Sequence, residues 1–180
     1  MCNKHGDDRG NAAAVSVELL RCRADDQEVR SLLPKAGAWP AELVELMRRV
    51  DADNTEALKR IIAEIGWPLR SVVGEGAAEG AWLIAQHTPD PEFQIQARDL
   101  MAEAVARGEA SPAHLAYLID RCLVAQGREQ LYGTQYVDTG DGLGWRLRPV
   151  SDPERLDERR AQVGLGPHAD HDQRMKEGRP

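Results

Sequence analysis

At 180 residues the chain has the length of one domain and enough of it to bury a core without disulfide support. Thirty Asp and Glu against 23 Lys and Arg leave a formal charge of −7, which argues against a dedicated nucleic-acid binder. A composition of 42% hydrophobic and 29% charged residues excludes the intrinsically disordered class, and the 4% aromatic content means that Leu, Ile, Val and Ala must build the core. The three cysteines, Cys2, Cys22 and Cys122, have no metal-ligand spacing and read as reduced thiols. No apolar run reaches the roughly 18 residues of a membrane span, and the first residues lack the apolar region of a secretory leader, so a soluble cytoplasmic protein is expected.

Residues 1–12 are polar and are expected to form a loose tail. From Ala13 to Leu33, Val15, Leu19, Leu20, Val29, Leu32 and Leu33 recur at helical spacing until Pro34. Trp39-Pro40 opens a second helix through Val50, with Leu43, Leu46 and Met47 on one stripe. Asp53 with Glu56 three residues on resembles a capping box, predicting a third helix through Ile65 that stops at Gly66. Val72–Gly76 reads as a glycine-punctuated connection, followed by a helix from Ala77 to His87. Asp90-Pro91 and Ser111-Pro112 are paired cap-and-proline starts, predicting helices to about Arg107 and to Ala125. Gly133–Val137 and Gly144–Arg148 flank a turn-rich stretch, Asp138–Leu143, and predict a hairpin. A short helix from Pro153 to about Val163 precedes a second loose tail.

The expected fold is therefore mainly α, a compact multi-helix bundle with one C-terminal β-hairpin. It is read as a single domain over 1–180: loose tail 1–12, helical core 13–130, hairpin 131–150, short helix 151–165 and loose tail 166–180.

Candidate functional residues are polar side chains in apolar settings, where burial without a partner is costly. The helix Pro112–Ala125 is apolar nearly all round, yet Asp120 projects between Ala116 and Val124 at about 100° per residue. Arg121 beside it is the natural cation for an anionic ligand. On the helix ending at His87, Glu79 and Gln86 interrupt an apolar surface, and the C-terminal dipole favours the His87 imidazolium. Gln94 projects between Met101 and Val105. Gln130, Tyr132, Thr134 and Gln135 concentrate hydrogen-bonding groups around Gly133. Other patterns lead nowhere: the glycines at 74, 76 and 127 lack the lysine of a phosphate loop, Asp138–Gly142 lacks the ligands of a calcium loop, and His168-Ala-Asp-His171 falls in the expected tail.

The strings Gly66-Trp-Pro, Trp82-Leu-Ile-Ala-Gln-His87, Pro91-Glu-Phe-Gln94, Ala116-Tyr-Leu-Ile-Asp-Arg121, Gln130-Leu-Tyr-Gly-Thr-Gln135 and Arg159-Arg-Ala-Gln-Val-Gly-Leu165 together resemble an uncharacterised bacterial family, domain of unknown function 6624, from about Asp53 to Leu165. The resemblance implies no activity, but its motif positions coincide with the polar residues above.

Two functions fit. One is a small enzyme, without cofactor or metal, using acid–base chemistry (hydrolysis, elimination or intramolecular addition) on a small metabolite or peptide. His87 would move the proton, and Asp120 would orient or charge-balance it. Arg121, Gln86, Gln94, Gln130, Tyr132, Thr134, Gln135 and Trp82 would bind the substrate. The other is a non-catalytic binding, immunity or regulatory module whose polar network is structural. Neither nucleic acid nor membrane is an expected partner, and the sequence leaves the oligomeric state open.

Overall fold

The computed structural model describes residues 4–34, 39–138 and 144–177. Among these, eight α-helices and one two-stranded antiparallel sheet are formed, so the mainly α fold with a late hairpin is observed. No described helix is long and apolar enough to cross a membrane. The chain divides into two compact units, Met1–Ala110 and Ser111–Pro180.

The first unit is all helical. α1 (Lys4–Ser31) begins well inside the stretch expected to be a loose tail. One reason is that Asn11 Nδ2 donates to Glu64 Oε1 of the next helix at 2.9 Å, so the early turns have something to lie against. α2 (Ala41–Ile65) is one helix where two were expected. Nothing between Val50 and Asn54 breaks a helix, and Thr55 Oγ1 bonds back to the Asp51 carbonyl at 2.6 Å. The Asp53-Glu56 pair therefore lies within the helix and caps nothing.

The expected connection at 72–76 contains a short helix, α3 (Arg70–Val73), joined to α4 (Glu75–His87) through Gly74 at φ 84°. That positive φ suits glycine, which carries no Cβ to clash. α5 (Pro91–Ala106) starts as the cap signal predicts, with Asp90 Oδ1 accepting from the Glu92 and Phe93 amides at 3.1 and 3.0 Å.

α1 packs against α2, α3 and α4, and α4 against α5. The core of this unit is aliphatic: Leu19 and Val29 of α1, Leu58 and Ile61 of α2, Ala81 and Ile84 of α4, with Phe93 and Met101 of α5. Gly80 allows α1 and α4 to approach closely, because a Cβ there would sit 2.8 Å from the Leu19 carbonyl oxygen.

The second unit opens with α6 (Pro112–Ala125), capped by Ser111 Oγ, which accepts from the His114 amide at 3.3 Å. β1 (Tyr136–Asp138) and β2 (Trp145–Leu147) pair in the register Tyr136↔Leu147, Val137↔Arg146 and Asp138↔Trp145. Each strand is shorter than the sequence pattern suggests, and the turn expected at 139–143 lies outside the described residues. A 3₁₀ turn (Pro153–Arg155) leads into α7 (Leu156–Gln162).

The expected loose C-terminal tail holds a further helix, α8 (His168–Lys176). Polar contacts anchor it where no apolar periodicity announces it. Asp157 Oδ1 accepts from the His168 amide at 2.7 Å, and the Tyr136 hydroxyl meets His168 Nε2 and Asp172 Oδ1, each at 3.1 Å.

Candidate functional site

His87 ends α4, as its sequence position predicts, and its Nδ1 lies 2.7 Å from Asp26 Oδ1. Asp26 is buried in α1, while the His87 side chain keeps 20% of its surface exposed. Arg30 Nη1 sits 2.7 Å from the same Asp26 oxygen, and Gln27 Nε2 donates to the other at 2.8 Å. Burial pushes the Asp26 carboxyl up, but the His87 bond and the charges of His87 and Arg30 outweigh it and hold the pKa below its ordinary value. Arg30 also reaches Asp51 of α2, its Nη2 donating to Oδ1 at 2.9 Å and Oδ2 at 3.1 Å. Burial raises the Asp51 carboxyl, with Arg30 opposing. Thr88, next to His87, meets Thr55 of α2 through their hydroxyls at 3.0 Å. Three helices thus converge on one imidazole–carboxylate–guanidinium cluster.

The remaining polar residues of this unit divide by role. Gln94 is buried, and its Nε2 donates to the Ala85 and Gln86 carbonyls at 3.1 and 3.4 Å. Those carbonyls belong to the last turn of α4, where no intrahelical donor reaches, so Gln94 closes the helix that presents His87. Gln86 is buried, and its Oε1 has no hydrogen-bond partner among the described residues. Trp82 lies one turn before it, half-buried.

In the second unit, Asp120 is fully buried and every described hydrogen bond it makes comes from one loop. Oδ1 accepts from the Leu131 and Tyr132 amides at 2.7 and 3.0 Å; Oδ2 accepts from the Thr134 amide at 3.1 Å and the Thr134 hydroxyl at 2.9 Å. Burial raises its pKa against the pull of these donors. The loop's carbonyls are taken from the other side: Arg159 Nε donates to Leu131 O at 2.8 Å and Arg160 Nη1 to Tyr132 O at 2.7 Å. Gln130 spans the loop, its Oε1 accepting from the Gln135 amide at 2.8 Å and its Nε2 donating to the Gln135 carbonyl at 3.0 Å. Gln135 Nε2 in turn donates to Thr134 Oγ1 at 3.0 Å. Buried backbone polar groups need partners, and side chains supply them here.

Tyr132 and Arg121 are half-buried in the same unit, on that loop and beside Asp120 on α6. Burial, and then the Asp120 charge, raise the Tyr132 phenol. Of the residues singled out from the sequence, Trp82, Gln86, His87 and Gln94 belong to the first unit, and Asp120, Arg121, Gln130, Tyr132, Thr134 and Gln135 to the second.

The sequence matches a family of unknown function, DUF6624, over residues 13–178. The chain belongs to that family. No curated protein and no solved structure matches it.

In this DUF6624 chain, several residues absent from the sequence reading carry the two clusters. Asp26 had a signal: Val15, Leu19, Cys22 and Val29 form the buried stripe of α1, and position 26 completes its alternating spacing of four and three. A carboxylate in an apolar stripe needs a partner, as Asp120 does. Arg159 and Arg160 had only their place in a family-like string. His171 lay in the expected tail, yet it is buried, hydrogen-bonded to the Thr134 backbone, with no partner on Nε2 among the described residues. Burial, helped by the charges of Arg160 and Arg174, pushes its pKa down to about 4, so the ring is neutral.

Proposed function

We propose that the protein is a small acid–base enzyme acting on a small metabolite or peptide, with His87 as the group that moves the proton. The observation that carries this reading is the 2.7 Å contact between a partly exposed imidazole and a buried carboxylate. With Nδ1–H donated to Asp26, the tautomer is fixed and Nε2 is the atom that takes a proton from substrate. Asp26 and Asp51 share one guanidinium, so the cluster holds an excess negative charge that the imidazolium balances as it forms. Hydrolysis, elimination and intramolecular addition each use such a step, and side chains alone supply it.

A second reading, a non-catalytic module, draws on the second unit. There the polar residues at 120, 130, 134 and 135 have their hydrogen bonds directed at backbone or at one another, which is scaffolding.

The discriminating experiment incubates wild type, His87→Gln and Asp26→Asn with a small-molecule cell extract and a mixed peptide pool, followed by mass spectrometry. The enzyme reading expects conversion by wild type, its loss in His87→Gln, and an altered pH profile in Asp26→Asn. Conversion that survives His87→Gln, or none by wild type, would reject it in favour of the scaffold.

A further inference from the structure

α8 is held by polar and aromatic contacts rather than by an apolar stripe. Met175 is its only buried apolar side chain, and its other buried residue is His171. The His171 ring meets Tyr117 of α6 and Tyr136 of β1 edge-on, with centroids 6.0 and 5.6 Å apart. One turn earlier, His168 lies parallel to Tyr136 and fills the space over Gly133, where a Cβ would sit 2.9 Å from His168 Cδ2. α8 therefore covers one side of the Tyr132–Gln135 loop, the loop whose amides Asp120 of α6 holds.

The His171 ring fits this place only while it is neutral. It is 6% exposed; its Nδ1 donates to the Thr134 carbonyl, and Nε2 has no partner among the described residues. A proton on Nε2 would create a buried N–H with no acceptor and a charge taken out of water. Among the described residues, no group facing the ring offsets that charge. Arg160 of α7, with Arg174 and His168 of α8, opposes it. Asp172 is engaged by Tyr136 and Lys176, Asp157 of α7 accepts from the His168 amide, and Asp120 is turned to the loop. Burial raises the phenols of Tyr117 and Tyr136, so neither supplies an anion. On β2, Arg146 is exposed.

We propose that α8 is a strap over the Tyr132–Gln135 loop that acid releases while the rest of the second unit stays folded. Once free, the ring has water for both nitrogens, and its departure uncovers Gly133 and the Tyr136 hydroxyl. The ring titrates at about 4 when docked and 6.5 when free, so opening becomes about 25-fold more frequent between pH 7.5 and 5. His168, which burial also holds below its ordinary value, adds to the effect.

Amide hydrogen exchange of the full chain, read by NMR at pH 7.5 and 5 and corrected for intrinsic rates, tests this. Residues 172–176 are expected to be less protected than Leu118 and Cys122 of α6 at both pH values, the mark of local opening. Their protection should fall at least about 25-fold from pH 7.5 to 5, and most of that fall should vanish in His171→Leu. The comparison of α8 with α6 is made in wild type and stands whether or not the variant folds. Equal protection of the two helices overturns the proposal, because α8 would then open only with the whole unit. So does an α8 whose protection does not fall in acid, or a fall that His171→Leu leaves undiminished.

Discussion

Replacing Asp120 tests whether one carboxylate holds the loop from Leu131 to Thr134. Its oxygens receive three amide N–H groups and one hydroxyl, and all four partners are donating. Asp120→Asn keeps the shape but turns one acceptor into a donor. The least costly placement sets the new NH₂ at the Oδ2 position, where the Thr134 hydroxyl can rotate to accept from it but the Thr134 amide cannot. One buried N–H is then stranded and the charge assistance is lost, a cost of about 2–3 kcal/mol. Asp120→Ala strands all four donors. At about 1–3 kcal/mol each, and with some relaxation of the loop, it should cost about 4 kcal/mol or more. Urea unfolding followed by circular dichroism gives the two values. Hydrogen exchange shows where the loss falls, with protection at Leu131, Tyr132 and Thr134 dropping first. An Asp120→Asn protein within about 0.5 kcal/mol of wild type, with those amides still protected, would refute the reasoning.

His171 should make stability fall in mild acid. Its pKa is 6.5 in the unfolded chain and about 4 when folded, so between those values the unfolded state takes up a proton that the folded ring refuses. The contribution vanishes above pH 6.5, grows as pH falls and levels off below 4, reaching about 3 kcal/mol. His171→Leu should therefore lose less stability than wild type between pH 7.5 and 4.5 in urea titrations, and an equal loss would count against the assignment. Gly80→Ala should destabilise the first unit by about 1–3 kcal/mol, since its Cβ would meet the Leu19 carbonyl oxygen at 2.8 Å. Gly10→Ala, on exposed α1 surface with nothing within 4 Å of its Cβ, should be neutral or stabilising; thermal melts of the two variants check this, and matching losses would show that packing is not the cause.

The parts of this fold legible in the sequence are those decided locally. Asp90-Pro91 and Ser111-Pro112 start their helices because a cap oxygen and a fixed proline φ act within one turn. Asp120 was identifiable as buried because helical periodicity places it between apolar neighbours. Its partners were not, because a loop 11 to 14 residues downstream carries no periodicity. The Asp53-Glu56 spacing imitated a helix start, yet a cap signal ends nothing without a residue that breaks the preceding turn. α8 escaped notice because histidine, tyrosine and aspartate hold it rather than an apolar stripe. For the candidate site, His87 was visible at its helix end, but the carboxylate bonded to it lies 61 residues earlier, beyond the reach of spacing arguments.

Gln130 has a consequence for how this hairpin can change. Its side chain holds both arms, donating to the Gln135 and Arg148 carbonyls at 3.0 and 2.9 Å, while its own amide donates to Pro149 O at 3.0 Å. Strand alignment is therefore set at the foot of the hairpin, so the residues between Asp138 and Gly144 need not set it. Doubling the length of a closed loop costs only about 0.6 kcal/mol, so foreign sequence grafted at that end should leave the pairing of Tyr136 with Leu147 intact.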